Sequence, residues 1–98
     1  MAPTDIFRFR LYIAGATPNS AQALTNLKAL CRRHLPGRHE IDIVDIFEDP
    51  RRALSDRIML TPTLVKLSPL PEQRFVGTLG QGRLVVEALG LEVPAQDD

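Results

Sequence analysis

Residues 7–13 read Phe-Arg-Phe-Arg-Leu-Tyr-Ile, with Phe7, Phe9, Leu11 and Ile13 alternating against Arg8, Arg10 and Tyr12. A period of two is that of a β-strand with one strongly apolar face. Ala14-Gly15-Ala16 breaks the alternation, and Thr17-Pro18 offers a side-chain oxygen at the N-cap followed by proline at the first helical position. From residue 21 to about 35, Leu24, Leu27, Leu30, Cys31 and Leu35 recur at spacings of three and four, which predicts an amphipathic helix ended by Pro36-Gly37. Residues 40–47, rich in Ile and Val with Asp42 and Asp45 between them, predict a second strand. Strand, helix and strand make a βαβ unit, whose two strands run parallel through a right-handed crossover.

Beyond residue 50 the local signals are weaker. Asp49-Pro50 repeats the cap-and-proline signature, and Ala53, Leu54, Arg57 and Ile58 have helical spacing, which predicts a short helix. Residues 63–67 form a third strand, Pro69 and Pro71 bracket a turn, and Arg74-Phe75-Val76 pairs back as a hairpin before Gly77. The apolar run at 84–91 fits either a short helix starting near Gln81 or a buried strand, which periodicity does not separate. Residues 94–98 are polar and expected to be loose. Taken with the helical alternative, the order βαβαββα is that of an α/β thioredoxin-like fold, a single domain over residues 1–98 with its ordered core at about 7–91. That fold often places a proline, usually cis, just before its third strand. Thr61-Pro62-Thr63 occupies this place, an ordinary trans proline being the alternative.

Composition narrows the function. A chain of 98 residues has room for one core, and 12 basic residues cancel 12 acidic ones. No broad positive field exists to draw it to nucleic acid or anionic membranes. No segment approaches the about 20 apolar residues of a membrane span, and the first seven residues do not read as a signal peptide, so a cytoplasmic location is expected. Redox chemistry in this fold needs a low-pKa thiolate at the first helix N-terminus. Gly15-Ala16-Thr17-Pro18 stands there instead, and Cys31 lies on the apolar stripe of the helix. Tyr12 and Ser20 are poorly placed as nucleophiles. His34 and His39 flank a turn, the arginines at 32, 33, 38, 51 and 52 read as solvated surface, and Asp42, Asp45, Glu48 and Asp49 lack metal-ligand spacing. No catalytic residue, metal site or cofactor is expected.

Several blocks nevertheless match a known family. The run 11–20, Leu-Tyr-Ile-Ala-Gly-Ala-Thr-Pro-Asn-Ser, followed by Ala23-Leu24 and Leu27, closely resembles the KaiB signature. Ile43-Val44-Asp45-Ile46, Pro50, Asp56-Arg57-Ile58, Thr61-Pro62-Thr63-Leu64 and Gly77-Thr78-Leu79 continue the match in order. The resemblance implies a non-enzymatic clock or timing regulator. Its implied partner is a KaiC-like hexameric ATPase, whose dephosphorylating phase it would promote, with KaiA or a sensor histidine kinase as further partners. It also implies homo-oligomers, tetramer or dimer, and two folds: the thioredoxin-like state that binds the ATPase, and a ground state of order βαββααβ.

Residues 50–91 are the half expected to refold, with Pro62, Pro69, Pro71, Gly77, Gly80 and Gly82 as the switch candidates. If the second strand is a sheet edge, Ile41, Asp42, Ile43, Val44, Asp45 and Ile46 become the candidate partner-binding residues. The stretch 77–83 departs from the family pattern by losing an acidic residue and gaining two glycines. The chain also ends soon after Leu91, without the long acidic tail of cyanobacterial members, from which a divergent branch is expected, one in which KaiA can be absent. Two competing functions are a thioredoxin-like redox or transferase protein lacking CxxC, and a stand-alone relative of a clock sensor-kinase input domain.

Overall fold

The alternating segment at the start of the chain forms β1, Phe7–Ile13, in a computed structural model that describes residues 5–91. There follow α1 (Pro18–His34), β2 (His39–Asp45), α2 (Pro50–Ser55), β3 (Thr63–Ser68), β4 (Gln73–Val76) and α3 (Gly82–Ala88). The sheet order is β2-β1-β3-β4. β1 runs parallel to β2, with Phe9 opposite Ile41 and Leu11 opposite Ile43. β3 runs antiparallel to β1, with Leu11 opposite Leu64, and β4 folds back on β3 as a hairpin. The ambiguous last segment is therefore a helix, and the order is βαβαββα.

Period-two alternation gives the sheet two different faces. Phe7, Phe9 and Leu11 are fully buried with Leu64 against Ala23, Leu27, Leu30 and Cys31 of α1 and Val85 and Val86 of α3. On the other face Tyr12, Val44 and Val65 are buried beneath Ala53 of α2, with Ile46 and Ile58 at the margin. The first core is the larger. Burial of its side chains at about 25 cal/mol per Å² supplies most of the cohesion.

Three details differ from the sequence expectation, each for a local reason. β2 stops at Asp45 rather than residue 47, because the Asp45 carboxylate accepts the N–H groups of Phe47 at 2.9 Å and Gly15 at 3.1 Å. A side chain bonding a backbone amide two residues on makes a turn rather than a strand. At α1, the Thr17 hydroxyl does not cap the helix; it donates to Ser20 Oγ at 2.9 Å. α2 stops at Ser55 rather than continuing to residue 58. Ile58 N–H bonds Ala53 O and Arg57 N–H bonds Leu54 O, with Arg57 in the left-handed region at φ 57°. This is a Schellman motif.

The same motif closes α3, where Leu91 N–H bonds Val86 O and Gly90 N–H bonds Glu87 O. There the left-handed position is glycine, at φ 77°. Arg57 therefore carries a steric penalty that Gly90 does not. Arg57→Gly is expected to raise stability by up to about 1 kcal/mol and Gly90→Ala to lower it by a similar amount, both read from urea midpoints.

Candidate functional site

Thioredoxin-type chemistry would sit where β1 and β2 end and β3 begins. Here the loop after β1 holds Gly15 at φ 58°, and a Cβ on it would lie 3.4 Å from the Phe47 ring. The backbone thus turns tightly beneath an aromatic side chain. Thr17 and Ser20 are the nearby hydroxyls, but Ser20 Oγ is occupied by the Thr17 hydroxyl and by the Ala14 N–H at 3.1 Å. A cavity of about 320 Å³ opens beside them, lined by Ala14, Thr17, Pro18, Asn19 and Thr61. It contains no titratable side chain. Pro62 follows, buried, after a cis Thr61-Pro62 bond. Cys31 is fully buried on α1, and burial pushes its thiol up to about 11. It fills the core, as its place on the apolar stripe implied.

The polar side of β1 carries a network that sequence spacing did not reveal. Arg10 donates to Asp42 at 3.0 Å and to Asp56 at 3.1 Å. Arg52 of α2 donates to the same Asp42 oxygen at 2.5 Å. The buried Tyr12 hydroxyl donates to Asp56. These bonds tie β1, β2 and the last turn of α2 together. The Tyr12 bond, aided by Arg10, holds the Asp56 carboxyl below its ordinary value. Burial pushes Asp42 up, but the bonds from Arg52 and Arg10 outweigh it and hold that carboxyl low too. Burial first, and then Asp56, push the Tyr12 hydroxyl up.

The residues singled out from sequence fall in two places. β2 is an outer strand of the sheet. Ile41 packs toward the α1 core, Val44 is buried on the α2 face, Ile46 borders that cluster, Asp42 joins the network, Asp45 closes the turn, and Ile43 is 43% exposed. Just after β2 and just before β3 the structure adds large exposed apolar side chains, Phe47 at 71%, Met59 at 88% and Leu60 at 62%. The spacing pattern missed these because turns carry no periodicity. Pro69 and Pro71, each after a cis bond, make the β3–β4 turn. Gly77 follows β4 at φ 110°, Gly80 precedes α3 and Gly82 begins it. His39 Nδ1 bonds Leu35 O at 2.8 Å, and Arg38 lies over the Phe7 ring. Among the described residues no group of three or more His, Cys, Asp or Glu could hold a metal, and no helix is long and apolar enough to cross a membrane.

Because Asp42 and Asp56 titrate lower folded than unfolded, their stabilisation is present above the unfolded carboxylate range of about 4 and is lost as pH falls through their folded values. Tyr12→Phe is expected to cost about 1 kcal/mol at pH 7 and to flatten the acid loss, since Asp56 then moves back toward its ordinary value. Urea midpoints of both proteins at neutral and acidic pH check this. Cys31 in the folded protein should resist a thiol reagent at pH 8 and react at once in denaturant, read by absorbance.

A family profile described as "KaiB domain" matches residues 10–91. The circadian clock oscillator protein KaiB of Synechococcus elongatus is 37% identical over 101 aligned positions, covering 100% of this chain and 99% of that one. The circadian clock protein KaiB3 of a Synechocystis strain is 39% identical, covering 86% and 80%. Among solved structures, chloroplastic thioredoxin z superposes with a TM-score of 0.74 at 21% identity, covering 88% of this chain and 77% of the other. The N-terminal domain of Synechococcus elongatus SasA gives 0.71 at 18% identity, covering 90% and 84%. Those structures share the thioredoxin-like fold. The sequence matches reach further, and by them the chain belongs to the KaiB family of circadian clock proteins.

Proposed function

We propose that this chain is a non-enzymatic timing regulator that binds the ring of a KaiC-like hexameric ATPase and promotes its dephosphorylating phase. Membership of the KaiB family carries this reading, and the make-up of the corner supports it. Where a redox relative would hold a reactive thiolate, this chain has Gly15, Ala16, Thr17 and Pro18, and its cysteine is buried with a raised pKa. Such a corner acts by contact. Residues Ile41, Asp42, Ile43, Val44, Asp45 and Ile46 of the open β2 edge supply the contact, because an edge strand accepts a partner through its unpaired backbone groups. Phe47, Met59 and Leu60 extend it with apolar surface of the kind that interfaces cover.

The reading extends to a cytoplasmic protein that self-associates as dimer or tetramer, with KaiA or a sensor histidine kinase as further partners where they occur. It includes a second arrangement of residues 50–91 in which Pro62, Pro69, Pro71, Gly77, Gly80 and Gly82 change conformation. No cofactor takes part.

With a cognate KaiC-like hexamer and nucleotide, the protein is expected to co-elute on size exclusion and to change the ring's ATPase or phosphorylation rate. Ile43→Glu, which leaves both cores untouched, should weaken binding by about tenfold. Absence of binding to every phosphorylation mimic of that ATPase would refute the proposal.

A further inference from the structure

Lys66 of β3 lies on the sheet face that packs against α1 and α3, and only 4% of it is exposed. Its ammonium sits 5.9 Å from the centroid of the Phe7 ring and has neither ion pair nor hydrogen bond among the described residues. Burial pushes its pKa down from the ordinary lysine value. An ammonium drawn from water without an acceptor is an unfavourable arrangement, and its neighbour repeats the pattern. Gln73 stands directly opposite Lys66 across the β3–β4 pair, so both side chains leave the same face with Cβ atoms about 5 Å apart. The Gln73 amide nitrogen donates to Ala88 O at 2.7 Å, at the end of α3. That bond fixes which amide atom is left over. Gln73 Oε1 is buried and accepts no hydrogen bond among the described residues.

A buried ammonium and an unpaired amide oxygen thus belong to directly opposed residues on one face of the sheet. They line a cavity of about 350 Å³ whose other walls are apolar, from Pro69, Leu70, Pro71 and Leu89. One ammonium matches one negative charge. The nearby C-terminal end of α3, the negative end of its dipole, disfavours a second. A ligand that satisfies both groups needs a carboxylate for Lys66 and an O–H for Gln73 Oε1, within the reach of two cross-strand neighbours.

We propose that this cavity binds a small 2-hydroxy monocarboxylate, its carboxylate on Lys66, its hydroxyl donating to Gln73 Oε1 and its short carbon chain against Leu70 and Leu89. The site lies on the sheet face opposite α2, across β1 and β3 from the β2 edge, and stands whether or not the docking reading holds.

Glycolate, the simplest such acid, tests it by NMR titration of the full chain, with acetate and phosphate as comparisons. Glycolate is expected to shift the Lys66, Gln73 and Leu89 amides saturably with a millimolar dissociation constant and to raise the Lys66 pKa, followed at its ε carbon. Acetate, lacking the hydroxyl, should bind about tenfold more weakly. Lys66→Met should abolish the shifts. Leu70→Glu, which places a like charge on a rim residue 80% exposed, should weaken them without disturbing the core. Shifts that do not saturate, that persist in Lys66→Met or Leu70→Glu, or that appear equally with acetate or phosphate would overturn the proposal.

Discussion

β1 has a strand on each side and a helical layer on each face, so all of its side chains but the exposed Arg8 must find company. Phe7, Phe9 and Leu11 do so by apolar contact. Arg10 and Tyr12 cannot, because a guanidinium and a phenol taken out of water need acceptors. Asp42 and Asp56 are those acceptors. Satisfying β1 fixes the register of β2 beside it and holds α2 above it, with Arg52 closing the circuit through Asp42. The placement of a six-residue helix, too short to be stable alone, thus follows from two polar residues on a neighbouring strand.

The same sheet has two outer strands, and they are unequal. β4 has four residues, preceded by Pro71, while β2 has seven and leads into a turn crowned by Phe47. A longer edge offers more unpaired backbone groups in a row. The longer edge runs up to the corner where related folds place their chemistry. The cavity at that corner is lined by Ala14, Thr17, Pro18, Asn19 and Thr61, while Cys31 is buried in the core on α1.

Much of this arrangement could be read from the chain. β1 and α1 were legible because their patterns are long and their periods, two and near 3.6, are unambiguous. The edge position of β2 was anticipated from fold order, and the hairpin from its prolines. The charged network was not legible. Arg10 and Asp42 are 32 residues apart and Tyr12 and Asp56 are 44 apart, and only the register of a parallel pair and the seat of α2 bring them together. Asp42 and Asp45 stand three positions apart in the sequence, yet one bonds arginines while the other ends a strand. The left-handed residue after α2 was hidden because arginine, unlike glycine, does not advertise it.

The two faces of the sheet are held by different forces, and those forces answer to different solvents. Large apolar side chains join α1 and α3 to the sheet, so that side responds to denaturant and temperature through the area it buries. α2 is joined by a small apolar cluster and by ion pairs that remain partly open to water, where dissolved ions screen them. Raising ionic strength loosens one layer while leaving the other in place. The two attachments of the sheet thus differ in their response to salt, and the more sensitive one is the cover over Tyr12.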